Sequence, residues 1–440
     1  MDVFTYKNGE LACEDVPLRD IVEQVGTPCY VYSSEHLTRQ FRAFDEAFSG
    51  LPHLVCFAMK ANSNLAVLRL FGTLGGGIDV VSGGEIYRAV RAGIPADRIV
   101  FAGVGKTVDE IIMAMKRSIL MFNVESPGEL DEINRVAESF ERKAPVALRV
   151  NPDVDPKTHP YISTGLKKSK FGIDIHAAVD EYRRAAELPW IEVVGVHCHI
   201  GSQITTTGPF ADAAGKVAAL VGRLREEGLR VRYVNLGGGL GITYRDEAPP
   251  APSDMARAVV PLIRETGCIL LFEPGRSLVG NGGVLLSEVL YKKQTPAKRF
   301  YVVDAAMNDL IRPSLYESYH EIRPLSESVK SRERGVADVV GGICESGDFL
   351  AKDRELPAFE PGDLFAVMSA GAYGFAMSSN YNARPRAAEV LVRGSEFSVV
   401  RRRETYQDLV RGETIPEFLQ EAGSVDARLG RGSRDGAGNP

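Results

Sequence analysis

Between residues 54 and 273 the sequence alternates short apolar runs with longer amphipathic stretches, and this rhythm constrains the fold more than any other feature. The runs are 54-LVCFAMK-60, 78-IDVV-81, 98-RIVFAG-103, 119-ILMFNV-124, 145-PVALRV-150, 192-EVVGVHCHI-200, 231-VRYVNL-236 and 268-CILLFE-273. Among the stretches between them are Gly84–Gly93, Val108–Arg117, Pro127–Phe140 and Phe210–Glu227. Short apolar runs bounded by turn residues read as strands, and apolar positions recurring every three or four residues read as helices. Eight strands, each but the last followed by a helix, cover the span that a (β/α)8 TIM barrel requires. An open doubly wound sheet is the competitor. No GxGxxG follows the first strand, which favours closure.

Beyond residue 281 the pattern turns to β segments: 283-GVLLSEVLY-291, 298-KRFYVVDAAM-307, 363-DLFAVMSAGAY-373 and a hairpin through 387-AAEVLVRGSEFSVVRRR-403, with Arg393-Gly394-Ser395 at its turn. The expected organisation is α/β. A barrel over 35–281 is followed by a C-terminal β domain, sandwich-like or barrel-like, over 282–420. An N-terminal segment, 1–34, packs with that β domain through the strand 28-PCYVYS-33. The last stretch, 421–440, is rich in Gly and Arg with almost no large apolar residue; it cannot offset its ordering entropy and is expected to be disordered.

Composition excludes several classes. The net charge is −6 and the densest basic run, Arg401 to Arg403, is short, so nucleic acid is not the expected partner. No apolar stretch is long enough to span a bilayer, and the first residues carry no basic and apolar pattern of a secretory signal. The six cysteines are scattered, most of them in apolar runs, as in a reducing compartment; a cytoplasmic chain is expected.

Side chains alternate along a strand, and barrel enzymes work at the C-terminal strand ends. By that parity Cys56, Ala58 and Lys60 share a face, as do Ala147, Arg149 and Asn151; Gly195, His197 and His199; and Ile269, Leu271 and Glu273. Four strands then bring Lys, Arg, two His and Glu to one mouth. A lysine there is desolvated, so its pKa is expected to fall, which suits an amine to Schiff-base chemistry. The pair His197/His199 has metal-ligand spacing, but the later strand ends supply no further histidine, so no metal is expected and stacking on a flat ring is the better reading. Gly237-Gly238-Gly239 after strand seven, with Gly275 and Arg276 after strand eight, occupy the place where barrels bind phosphate.

The chain resembles the fold-type III pyridoxal-phosphate decarboxylases, and within them the diaminopimelate decarboxylase family. The likeness runs from about Tyr30 to about Asp408. It is carried by 57-FAMKANSN-64, 79-DVVSGGE-85, 149-RVNPDVDPKTHPYISTG-165, 170-KFGI-173, 196-VHCHIGSQI-204, 236-LGGGLG-241, 272-FEPGRS-277, 309-DLIRPSLY-316, 344-CESGD-348 and 370-AGAYG-374.

The resemblance implies pyridoxal 5'-phosphate as cofactor, bound covalently by Lys60, with His199 stacked on its ring and Glu273 at its pyridine nitrogen. Ser202, Gly237, Gly238, Gly239, Gly275 and Arg276 would hold the phosphate, with Tyr373 between phosphate and substrate. Substrate recognition would fall to Arg276, Arg312, Tyr316, Glu345 and Tyr373, and Cys344 would be the general acid. In the family that cysteine comes from the partner subunit, which implies a homodimer with shared sites. Two arginines suit a substrate with a carboxylate away from the reacting carbon, and Glu345 suits a distal ammonium. The implied reaction is decarboxylation of meso-2,6-diaminopimelate to L-lysine, the last step of lysine biosynthesis. The alternatives are a sister decarboxylase acting on ornithine, arginine or carboxynorspermidine, and a non-catalytic cofactor-binding relative.

Overall fold

The computed structural model describes residues 3–155 and 170–419. Part of the 149–165 motif and the tail expected to be disordered lie outside the described residues.

All eight expected barrel strands form, at His53–Ala58, Gly77–Val80, Ile99–Phe101, Met121–Val124, Ala144–Asn151, Ile191–His197, Tyr233–Asn235 and Ile269–Phe272. Each pairs in parallel with its neighbours, and the eighth pairs with the first, so the sheet closes. A short extra strand, Ile173–Asp174, lies beside the end of the fifth. The helices between strands start where capping chemistry allows. Thr107 forms a reciprocal capping box with Glu110 ahead of Val108–Arg117, and Ser126 caps Pro127–Glu138, whose proline needs no intrahelical N–H partner.

Inside the ring, Cys56, Val100, Met121, Ala147, Val194 and Leu271 form a separate apolar cluster. Two residues further along their strands stand Asn123, Arg149 and Glu273, with Asp79, His197 and Asn235 at matching positions on neighbouring strands. Because Cβ direction alternates, the barrel interior is an apolar plug capped by a polar layer at the C-terminal strand ends. That layer is the floor of the site.

The second sheet has nine strands and mixes parallel and antiparallel pairs. Its spine is Gly283–Gln294, twelve residues long. The N-terminal half of this strand pairs with Cys29–Ser33 and Leu364–Val367, and the C-terminal half with Arg299–Val303. Cys29–Ser33 also pairs with Ala388–Arg393 of the hairpin, which turns at Gly394 (φ 59°). The run 363–373 is strand only through Val367; the AGAYG segment that follows is a loop reaching back to the barrel, where the Tyr373 N–H donates to the Ala61 carbonyl. Val3, Phe4, Leu11 and Cys13 pack with Val31, Val284 and Val390.

Leu271 is fully buried in the plug. Leu271→Ala is expected to destabilise the protein by about 2–5 kcal/mol, a transfer term plus a cavity term. Urea unfolding measures this, and a loss well under 1 kcal/mol would contradict its place in the barrel interior.

Candidate active site

The first strand ends at Ala58, so Lys60 is not on extended strand as parity alone implied; it stands on a one-turn 3-10 helix, Met59–Ala61. The turn still aims it at the mouth. Lys60, Glu273 and His199 line one cavity of about 180 Å3. Ser202, Gly239, Gly275, Arg276, Arg312, Tyr316 and Tyr373 line it as well. Lys60 is accessible, and the space it faces is this cavity. No hydrogen bond or ion pair joins its ammonium to a described residue.

The expected fall in the Lys60 pKa is corrected. Burial does pull it down, but the charges of Asp79, Tyr373 and Glu273 push it up, and the net shift is upward. Desolvation was the only term visible along one strand, whereas Asp79 and Glu273 belong to other strands.

Glu273 is buried, yet its carboxylate is held down to about 2. Burial opposes this; the charge of His197 and a hydrogen bond from it, then the charge of Lys60, overcome it. Its Oε1 accepts Nδ2–H bonds from Asn123 (3.0 Å) and Asn235 (2.6 Å), and its Oε2 meets His197 Nε2 at 3.2 Å. Asp79, also buried, has no partner on either carboxylate oxygen and is pushed well above the usual range, first by burial and then by the charge of Glu273.

His199 lies past its strand end and leans on the glycine loop, where its Nδ1 accepts the Gly238 N–H at 3.2 Å. Burial and the charges of Lys60 and Arg149 keep it well below the usual histidine range, so it is neutral. The two rings of the HxH pair thus serve different partners, and among the described residues no cluster of His, Cys, Asp or Glu could hold a metal ion.

Gly237 and Gly239 take φ of 67° and 122°, a region that L side chains rarely adopt. A Cβ at Gly238 would collide with the Glu273 carbonyl. Gly275 caps the short helix Arg276–Val279, whose first N–H groups have no intrahelical partner. An accessible amine, an ionised carboxylate, a neutral imidazole and a backbone cradle fit a pyridoxal phosphate.

Arg276 and Arg312 in this lining are buried, and neither has a carboxylate partner among the described residues. Arg276 donates to Tyr244 Oη (2.5 Å) and Ser202 Oγ (3.1 Å); Arg312 donates to Ser318 Oγ (3.2 Å), and its Nε has no acceptor. Both guanidiniums lie over the rings of Tyr244 and Tyr373.

Cys344 and Glu345 do not join this cavity in their own chain. Cys344 is exposed, between the strands Arg334–Val340 and Phe349–Pro357. Its N–H donates to Asn382 Oδ1 at 2.8 Å, and Glu345 accepts from the Tyr381 hydroxyl at 3.2 Å. Sequence reasoning missed Asp79, Asn123, Asn235 and Tyr244. The first three carry the parity signal already used on other strands, one step beyond Gly77, Met121 and Tyr233.

The family "Pyridoxal-dependent decarboxylase, pyridoxal binding domain" matches residues 34–280. A diaminopimelate decarboxylase from Pseudomonas aeruginosa is 54% identical over 417 residues, covering 94% of this chain and 99% of that protein. A solved diaminopimelate decarboxylase from M. jannaschii, in co-complex with L-lysine, superposes with a TM-score of 0.90 at 43% identity, over 95% of this chain and 99% of that one. The Helicobacter pylori enzyme complexed with L-lysine gives 0.86 at 43% identity, over 90% and 98%. With fold, cavity and sequence in agreement over nearly its whole length, the chain belongs to the diaminopimelate decarboxylase family of pyridoxal-dependent decarboxylases.

Proposed function

We propose that the protein decarboxylates meso-2,6-diaminopimelate to L-lysine and CO2 with pyridoxal 5'-phosphate. The observation that carries this reading is the pair of buried guanidiniums, Arg276 and Arg312, without counter-ions in the cavity that also holds Lys60 and Glu273. Buried cations anticipate anions. One carboxylate leaves as CO2, so a second, distal one is needed to meet an arginine. Ornithine and arginine lack it.

Bound pyridoxal phosphate supplies an aldehyde for covalent attachment and a ring that accepts the electron pair left when CO2 departs. Lys60 offers the only lysine amine in the cavity among the described residues. The charged Glu273 carboxylate would meet the ring nitrogen and favour a proton there. The N–H groups of the glycine loop and of Gly275 and Arg276, with the Ser202 hydroxyl, would hold the phosphate. Arg276, Arg312, Tyr316 and Tyr373 would orient the substrate's distal end, and the neutral imidazole of His199 would stack on the ring.

The Sγ–H of Cys344 returns a proton to Cα. Cys344 does not line its own chain's cavity, which supports a homodimer in which each subunit delivers Cys344 and Glu345 to its partner's site. Glu345 then receives the distal ammonium. All six cysteines are free and five are buried, which supports a reducing, cytoplasmic setting.

Purified holoprotein should release CO2 from meso-diaminopimelate and not from ornithine; release from ornithine alone overturns the substrate assignment. Borohydride reduction should fix the cofactor at Lys60, read by peptide mass, and a label elsewhere defeats its role. Cys344→Ala should lower kcat by about 10²–10⁴-fold while the bound cofactor keeps its absorbance. Mixing Lys60→Ala with Cys344→Ala protein should restore up to about a quarter of wild-type activity through mixed dimers, each with one complete site.

A further inference from the structure

His197 is the half of the HxH pair that the proposed chemistry leaves idle. It is almost fully buried, and neither it nor Asn123 nor Asn235 lines the cavity, whereas Glu273 does. The three stand behind the carboxylate. His197 and Asn235 are register partners on neighbouring strands, and Asn123 pairs in register with Ala147 on the strand beside its own.

Their orientations are constrained. The Oδ1 of Asn235 accepts the Gly237 N–H at 2.9 Å, so its NH2 group must face Glu273. The Oδ1 of Asn123 has no partner, and its Nδ2 donates to Glu273. His197 Nδ1 is likewise buried without a partner, so the ring is held through Nε2 alone. An ionised carboxylate cannot donate, which assigns the N–H to Nε2. Oε1 therefore takes two amide donors, and Oε2 has a single donor among the described residues, His197.

We infer that His197 is a positioning residue for Glu273: with Asn123 and Asn235 it holds the carboxylate charged and fixed, so that the cofactor's ring nitrogen keeps its proton. The inference rests on the proposed role of Glu273 and deepens it. The charged and titratable groups facing Glu273 are Lys60 from the first strand end, Asp79 from the second, His197 and His199 from the sixth, and the buried thiols of Cys56 and Cys198; Arg149 faces Lys60, Asp79 and His199. Two carboxylates share this mouth and only Glu273 has donors. Burial and the like charge of Glu273 push Asp79 up, so the charge is held more readily on Glu273. Because Oε1 keeps one amide when the other is lost, while Oε2 loses its one protein donor with His197, the effects rank His197 above Asn123. Asn235 is set apart, because it also holds the glycine loop.

The test uses holoprotein loaded with pyridoxal phosphate labelled with nitrogen-15 in the ring, and reads ring-nitrogen protonation by NMR beside kcat and KM. Wild type should show a protonated nitrogen at neutral pH. His197→Phe should move the signal toward the unprotonated form and lower kcat about tenfold or more, the worth of a hydrogen bond to a charged group, with KM within about twofold. His197→Gln, which can still donate, should recover most of both. Asn123→Leu, near in volume, should shift the signal the same way but less, and it serves where His197→Phe does not fold. A wild-type nitrogen signal in His197→Phe, or in Asn123→Leu, overturns the inference. Glu273→Gln separates the two levels. If it loses the ring proton while His197→Phe keeps it, only the role of His197 falls; if Glu273→Gln keeps the proton too, the reading of Glu273 itself fails.

Discussion

A carboxylate enclosed in a barrel stays charged only where protein N–H groups replace the water it has lost. Glu273 meets that condition with two asparagines and a histidine, each from a different strand. The geometry reaches further through Asn235, whose Nδ2 donates to Glu273 while its Oδ1 accepts from Gly237. One planar carboxamide therefore ties the end of the site that would meet a ring nitrogen to the loop that would meet a phosphate. Its rigidity fixes their separation. His199 completes the tie, since its ring is buttressed by the Gly238 N–H.

Barrel closure makes this possible. Strand parity puts small and apolar side chains in the plug and polar ones one step above it, so the polar layer has protein below and the cavity above. Charges placed there interact across the ring more strongly than they would in water. Lys60 shows the consequence: burial alone would lower its pKa, yet Asp79 and Glu273, both from other strands, help reverse the shift. Its protonation belongs to the whole layer.

The eight strands, the change of pattern near residue 281 and the residues converging on the mouth were legible because period-two alternation and turn residues are local signals. Asp79, Asn123 and Asn235 were equally legible; parity simply needed extending to strands two, four and seven. Other features were not. The sign of the Lys60 shift depends on pairings across the barrel. Tyr244 sits in an irregular stretch after the glycine loop, where no periodicity marks it, and it becomes visible only through Arg276, Arg312 and His320 around its ring. The strands Arg334–Val340 and Phe349–Pro357 were passed over because their polar content, as in GVADVV and LAKDRELP, blurs the apolar runs used to find the others.

The arginines show how the site divides its labour. Arg276 and Arg312 are buried beside tyrosine rings, whose π faces offset part of the desolvation cost but supply no counter-charge. The site is thus electrostatically incomplete at Arg276 and Arg312, and a carboxylate would complete it. The group that would answer a distal ammonium, Glu345, is carried with Cys344 on an exposed loop outside this cavity, braced by Tyr381 and Asn382. Electron withdrawal is built into the rigid polar layer of one barrel. On the proposed reading the substrate's far end would be met from two places, Arg276 and Arg312 in the cavity and Glu345 on the loop, while the reaction at Cα would draw on the layer around Glu273 and on Cys344.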